Sequence, residues 1–434
     1  MKRRVLVPLV IYLVAALVYV SLLGTRALGP TPDNHYVHLA LSWFSGELGV
    51  LGNTPPGSND WALYNGRWFV SFPPFPAVVI APVVAIWGLA TRDALFWALL
   101  AGLAPALLFV LLRRLSELGQ STRSTRDNLA LTALFAFGTV FFFVAVQGTV
   151  WFAAQVVASI LLILFLLFAF DARSPWLAGL LLGLLIVTRP PGTPLVGLVF
   201  IVEALRRYRR EGALAPTPGA HPARQAWQWL RGAELGPVLK AHAIVAVPVL
   251  AVLSLALWFN YARFDDPFSF GHEHLQIRWR QRIDEWGLLN LHYFSKNLAV
   301  FTSSLPWLYD RPPYLKISLH GLALWFTTPA LLLTLWPKQL DARIVGLWLA
   351  VIPIALVDLC YQNSGWVQFG YRFALDYMPM LIVLLALGRR RFGPGFYLCL
   401  AFAVVVNTFG ALTFDRAPRF YDNDGTQNRL FQPD

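Results

Sequence analysis

FPAVVIAPVVAIWGLA, residues Phe75–Ala90, decides how the rest of the chain is threaded. The stretch is apolar, and Pro73, Pro74, Pro76 and Pro82 precede or interrupt it. Eleven other apolar runs are unambiguous: residues 5–23, 94–112, 129–146, 151–170, 176–188, 192–205, 241–261, 319–336, 344–360, 373–387 and 395–413. Each is long enough, or nearly so, to cross a ~30 Å hydrocarbon core as a helix. In lipid the backbone must satisfy its own polar groups, so these runs are read as helices. If residues 75–90 also cross, the chain has twelve spans; if they do not, it has eleven.

The cations choose between the two. With eleven spans, Lys2, Arg3 and Arg4, the basic stretch 113–126, the loop 206–240, and Arg389, Arg390 and Arg391 all fall on the cytoplasmic side. With twelve, every cluster except the first moves outside. Short loops rich in Lys and Arg stay cytoplasmic, which selects eleven spans with the N-terminus inside and the C-terminus outside. Residues 75–90 then lie along the outer interface or dip into it.

The expected fold class is therefore all-α: a polytopic transmembrane protein of about 11 helices, with interfacial helices in its first external loop. Composition agrees, because 57% of the 434 residues are hydrophobic and 13% are charged, against about 25% charged in soluble domains. The start resembles a signal peptide, but the apolar stretch 5–23 exceeds a signal core of ~7–15 residues and is read as an uncleaved first helix. The net charge of +12 is assigned to membrane orientation, and no nucleic-acid partner is expected. Cys360 and Cys399 lie at or inside spans with no local partner, so neither a disulfide nor a metal site is expected. No tandem repeat is visible, and 1–434 is read as one module.

Two long segments face outside, 25–93 and 262–318. In the first, Tyr36, Leu39, Ala40 and Trp43 recur at helical spacing, as in an interfacial amphipathic helix. The cytoplasmic loop 206–240 is basic, contains Pro and Gly, and is expected to be partly disordered.

Few residues can carry chemistry. Asp33 follows the first helix, where a carboxylate can act as general base towards an acceptor hydroxyl; alternatively Asp33 or Asn34 caps a helix starting near His35. Arg189 lies between two short apolar arms, each covering only about 20 Å, which places its cation within the protein below the outer interface. Intramembrane cations are functional candidates by default, with a structural ion pair as the alternative. Arg372 begins the tenth helix and Asp376 sits one turn on, so the two either pair or together hold a phosphate. Asp358 is a weaker candidate. His272-Glu273-His274 looks like part of a metal site but lacks further ligands, so no metal is assigned. Arg278, Arg280 and Arg282 alternate beside Trp279 and are read as headgroup or pocket contacts. No P-loop, dinucleotide fingerprint or nucleophile elbow is present.

Asp33 opening the first external loop, followed by Phe72-Pro73-Pro74-Phe75-Pro76, resembles the GT-C superfamily of membrane glycosyltransferases. The nearest resemblance is to bacterial relatives of the dolichyl-phosphate-mannose protein mannosyltransferases. Gly148-Thr149-Val150-Trp151, the segment 180–191 ending in Thr-Arg-Pro, the segment 321–329, and Gly370-Tyr371-Arg372 with Pro379 downstream carry the same resemblance. It implies an integral protein of the bacterial plasma membrane with its active face outside. The implied reaction is inverting transfer of a sugar from a polyprenyl-phosphate donor to an external acceptor, with membrane lipid as surroundings. Asp33 would be the base, and Arg372 resembles the arginine that contacts the lipid phosphate. Arg189 joins it as a second phosphate contact on the depth argument. Asn34, His35, Arg67, His272, His274 and Asp376 are further pocket candidates. The lipid-linked sugar is a co-substrate and no cofactor is expected; many relatives have a second acidic residue where Asn34 stands, which weakens any metal requirement. The tail 414–434 is short, so no large acceptor-binding domain is expected. The alternatives are a transporter of lipid-linked glycans, which should show repeated halves or paired broken helices, and a non-catalytic scaffold.

Overall fold

The computed structural model describes residues 2–52, 60–212, 221–277 and 279–422. Arg278 and most of the tail 414–434 fall outside the described residues. Among the described residues, six helices are long and apolar enough to cross a membrane: Arg4–Ser21, Asp93–Glu117, Val150–Ala172, Leu235–Phe264, Ala342–Leu359 and Pro394–Thr413. The chain is an integral membrane protein, and its apolar surface shows why. Leu17 and Leu255 are 71% and 66% exposed on peripheral helices, outward positions that only lipid covers favourably. Val150–Ala172 is instead mostly buried and forms the central post of the bundle.

The other apolar runs are shorter or broken. Phe75–Trp87 is a 13-residue helix, about 20 Å long and too short to cross a ~30 Å core alone. Residues 319–336 do not form one helix: Gly321 turns at φ +88°, then Leu324–Thr327 is α-helical and Pro329–Leu335 is 3₁₀. Pro329 and Pro379 each stand in the first turn of a helical segment, where the missing N–H is not needed. Residues 373–387 likewise split into the 3₁₀ turn Arg372–Asp376 and the helix Met378–Leu387.

The basic clusters meet at one end of the bundle. Arg113 donates to the Arg4 carbonyl at 2.9 Å, and Arg123 donates to the carbonyls of Leu385, at 2.6 Å, and Arg390. Gln120 and Arg343 both bind Asp171, at 2.9 and 3.0 Å, and Arg206 pairs with it too. Arg343 also reaches the buried Glu203 at 2.6 Å. This network joins four helix ends where the chain reverses.

The opposite end carries the loops. An antiparallel hairpin pairs Trp61–Tyr64 with Arg67–Val70 across Asn65-Gly66, whose φ angles are +47° and +75°. Two consecutive positive φ values suit an Asn-Gly turn that follows the strand twist. In the loop 206–240, expected to be partly disordered, residues 213–220 lie outside the described residues; the rest contains the helix Pro222–Arg231, and the spanning helix Leu235–Phe264 begins within it. The segment 262–318 is similarly structured, with helices Arg280–Trp286 and Phe294–Ser303 and a strand Leu315–Ser318.

Candidate active site

At the loop end, above the central post, lies a cavity of about 390 Å³. Asp33, Arg189, His272 and Arg372, four residues widely separated in sequence, all line it. So do Asp358 and Asp60.

Local geometry explains how Asp33 is held. Gly148 adopts φ +81°, and a Cβ there would lie 2.5 Å from Ala94. This tight glycine turn delivers the N-terminus of Val150–Ala169, and the Val150 N–H donates to the Asp33 carbonyl at 3.1 Å. The backbone of Asp33 is thereby fixed while its half-buried side chain lines the cavity. Asn34 occupies the N-cap of His35–Phe44 but makes no side-chain capping bond. That helix is packed inside the protein, with Tyr36, Leu39 and Ala40 fully buried.

The two arginines differ. Arg189 forms a two-pronged ion pair with Asp376, Nε to Oδ1 at 3.0 Å and Nη2 to Oδ2 at 2.7 Å. Of the two readings open for Arg372 and Asp376, the direct ion pair is therefore replaced by one between Arg189 and Asp376. In the 3₁₀ turn Arg372–Asp376, at about three residues per turn, the fourth residue on no longer faces the first. Arg372 is 6% exposed. Its Nε donates to the Gly365 carbonyl at 3.2 Å and its Nη1 to Gln155 Oε1 at 3.4 Å, both neutral acceptors. Among the described residues it has no carboxylate partner. Burial, followed by the like charge of Arg189, pulls its pKa down to about 9. A buried cation in this setting is stabilised by any anion that enters the cavity.

Asp60 was not singled out by the sequence. Its Oδ2 accepts the Trp151 Nε1–H at 2.7 Å, and its carbonyl accepts the Ser71 hydroxyl at 2.8 Å, which ties it to the base of the hairpin. Burial raises its carboxyl above the usual range, against the lowering effects of the Trp151 bond and Arg372. Asn65-Gly66 between two alternating apolar runs is the signal that would have revealed the hairpin, and hence the nearness of Asp60. His272 is neutral at pH 7, because burial and then Arg189 lower it to about 4.

The remaining candidates lie elsewhere. Arg67 pairs with Glu47 at 2.5 Å, both well exposed. His35 stacks on Trp61 at 4.1 Å. His274 bonds Ser269 at 2.9 Å and packs on Tyr64 and Phe264, so it and His272 have different surroundings. Asp376 is paired with Arg189. Tyr36 Oη, Thr149 Oγ1 and Asp358 Oδ2, from three lining residues, are buried with no hydrogen-bond partner among the described residues. Buried polar atoms are otherwise nearly always satisfied, so these mark a cavity suited to a polar occupant.

Neither family models nor curated protein sequences match the chain. Among solved structures it is similar to ArnT from Cupriavidus metallidurans bound to undecaprenyl phosphate, with TM-score 0.51 and 15% identity. That match covers 93% of this chain and 64% of ArnT. The apo form of ArnT gives TM-score 0.50 and 16% identity over 96% of this chain and 66% of that one. The archaeal oligosaccharyltransferase AglB from Archaeoglobus fulgidus matches at TM-score 0.42 and 13% identity, covering 95% and 56% of the two chains. The chain thus spans a little under two thirds of the ArnT length. Its fold is the GT-C fold.

Proposed function

We propose that this protein transfers a sugar from a polyprenyl-phosphate donor to an acceptor hydroxyl at the outer face of the membrane. The observation that carries the reading is the pairing of opposites in one cavity. Arg372 is a buried cation whose hydrogen-bond partners among the described residues are neutral, and Asp33 lines the same cavity without being buried away from it. The ArnT structure of similar fold contains undecaprenyl phosphate, a ligand whose headgroup is the anion that Arg372 lacks.

In this scheme Arg372 binds the phosphate, since a guanidinium offers several N–H donors in a fixed plane. Arg189, already neutralised by Asp376, adds a second donor edge and sits where the chain dips from the outer interface. The acceptor hydroxyl oxygen attacks the anomeric carbon from the side opposite the phosphate, so configuration inverts. The bond from that carbon to the phosphate oxygen breaks, and its electron pair leaves with the phosphate. Asp33 takes the hydroxyl proton. Arg372 stabilises the charge that grows on the leaving oxygen. Trp151, Phe72 and Trp279 give the cavity aromatic walls suited to a sugar ring.

The test is binding of a polyprenyl monophosphate to purified protein, followed by native mass spectrometry. Losing a charge-assisted hydrogen bond is worth about 1.5–3 kcal/mol, so Arg372→Gln should weaken binding by roughly one to two orders of magnitude. Equal binding by the variant and the parent would remove Arg372 from the phosphate site.

A further inference from the structure

The helix Pro222–Arg231, PARQAWQWLR, lies at the basic end of the bundle, away from the cavity, and nothing in the transfer reaction uses it. At about 100° per residue, Ala226, Trp227 and Leu230 share one face, while Arg224 and Arg231 flank its edge. Trp227 is 56% exposed and Leu230 41%. The Arg231 guanidinium lies 4.9 Å from the Trp227 ring centre but leaves most of the indole open, and an indole and a leucine side by side in water are unfavourable.

The helix is nevertheless held in place. On its other side the Trp229 carbonyl accepts from Arg209 Nη1 at 2.8 Å, and the Arg209 guanidinium lies 5.3 Å from the Trp229 ring centre. The Glu234 N–H donates to the Tyr208 carbonyl at 2.8 Å. These contacts fasten it to the end of the helix Gly197–Arg207 and leave the Trp227–Leu230 face open. The chain then enters the spanning helix Leu235–Phe264, whose first turns expose Leu235 (63%) and Leu239 (66%), the start of its lipid-facing side. The apolar face thus continues into a surface that lipid covers.

Charge defines the lipid. Residues 206–240 carry seven cations (Arg206, Arg207, Arg209, Arg210, Arg224, Arg231, Lys240) and two acids (Glu211, Glu234), a net of +5. Arg207, Arg210, Arg224 and Arg231 are exposed. We propose that Pro222–Arg231 is a membrane-surface anchor that binds anionic phospholipid headgroups. Trp227 and Leu230 enter the acyl boundary, and the surrounding arginines meet the phosphates. Amphipathic helices with Trp and Leu on one side and cations at the border lie in this way. Cations near an anionic surface are drawn to it, which is why the anchor should prefer acidic lipid over neutral lipid.

The full chain in nanodiscs of phosphatidylcholine, with or without phosphatidylglycerol, tests this. Trypsin cleavage after Arg224 and Arg231 should slow several-fold when phosphatidylglycerol is present, and high salt should reverse the effect. A spin label at Trp227→Cys, in a Cys360→Ser/Cys399→Ser background, should be more accessible to oxygen than to an aqueous nickel chelate. A label at Gln228→Cys should show the opposite. Equal cleavage in both lipids overturns the preference for anionic lipid, and equal aqueous access at 227 and 228 overturns the anchor itself.

Discussion

Asp60 and His272 show what burial does to single groups around the cavity. The Asp60 carboxyl is raised by burial, so it protonates as pH falls through a range where an ordinary aspartate stays charged. Protonation weakens the charge-assisted bond from Trp151 Nε1 and frees that ring within the cavity wall. On the proposed function, KM for the sugar donor should rise on mild acidification, and Asp60→Asn should raise it at all pH values and flatten the pH dependence. A parallel rise in parent and variant would remove Asp60 from that role. His272 has the opposite history. Its pKa falls from 6.5 to about 4 on folding, so above 6.5 both states are neutral and it adds no pH dependence. Between 6.5 and about 4 the unfolded chain takes up a proton that the folded one refuses, and stability is lost as pH falls. Thermal unfolding in detergent should show a smaller acid loss for His272→Asn than for the parent protein.

Helix contacts set where these groups stand. Pro175–Ile186 packs along Leu235–Phe264 with Gly179 and Gly183 at the contact. A Cβ on Gly179 would lie 2.2 Å from the Val245 carbonyl oxygen and 2.8 Å from Pro248. Small residues four apart let membrane helices approach closely, and this approach carries the Arg189 tip to the cavity. Gly179→Val should force the pair apart and cost about 1–3 kcal/mol, as overpacking does. An unchanged unfolding midpoint would contradict the contact. Legibility in the sequence follows from the same physics. Long apolar runs such as residues 151–170 were readable because lipid demands them. Residues 319–336 were not, since hydrophobicity does not report where Gly321 and Pro329 break a helix. The Arg372–Asp376 pairing failed because spacing of four implies neighbours only on an α-helix. Asp33, Arg189 and Arg372 line one cavity, and the sequence could single them out as candidates because a charge beside apolar sequence stands out. Asp60 was missed because its place depends on a hairpin folding back from a distance.

The whole molecule is divided between two ends. One gathers the buried Glu203 and Arg343 and the half-buried Asp171 and Arg206 into an ionic cluster that ties helix ends together. Breaking such a cluster on one side leaves a buried charge, so it stabilises the arrangement more than it serves chemistry. The other end holds Arg372, which has no carboxylate partner among the described residues, in the cavity that Asp33 also lines, and the central post connects the two ends. The reaction proposed for this second end is removal of a sugar from a lipid phosphate. The measurement is sugar release from a panel of polyprenyl-phosphate sugars by purified protein and by Asp33→Asn, whose loss of general-base catalysis is worth about 10²–10⁴-fold in rate. Turnover of at least one donor by the parent protein is expected, with a loss of that size in a variant that still folds and still binds polyprenyl phosphate. Turnover undiminished in Asp33→Asn, or donor bound equally by both and never cleaved, would contradict it.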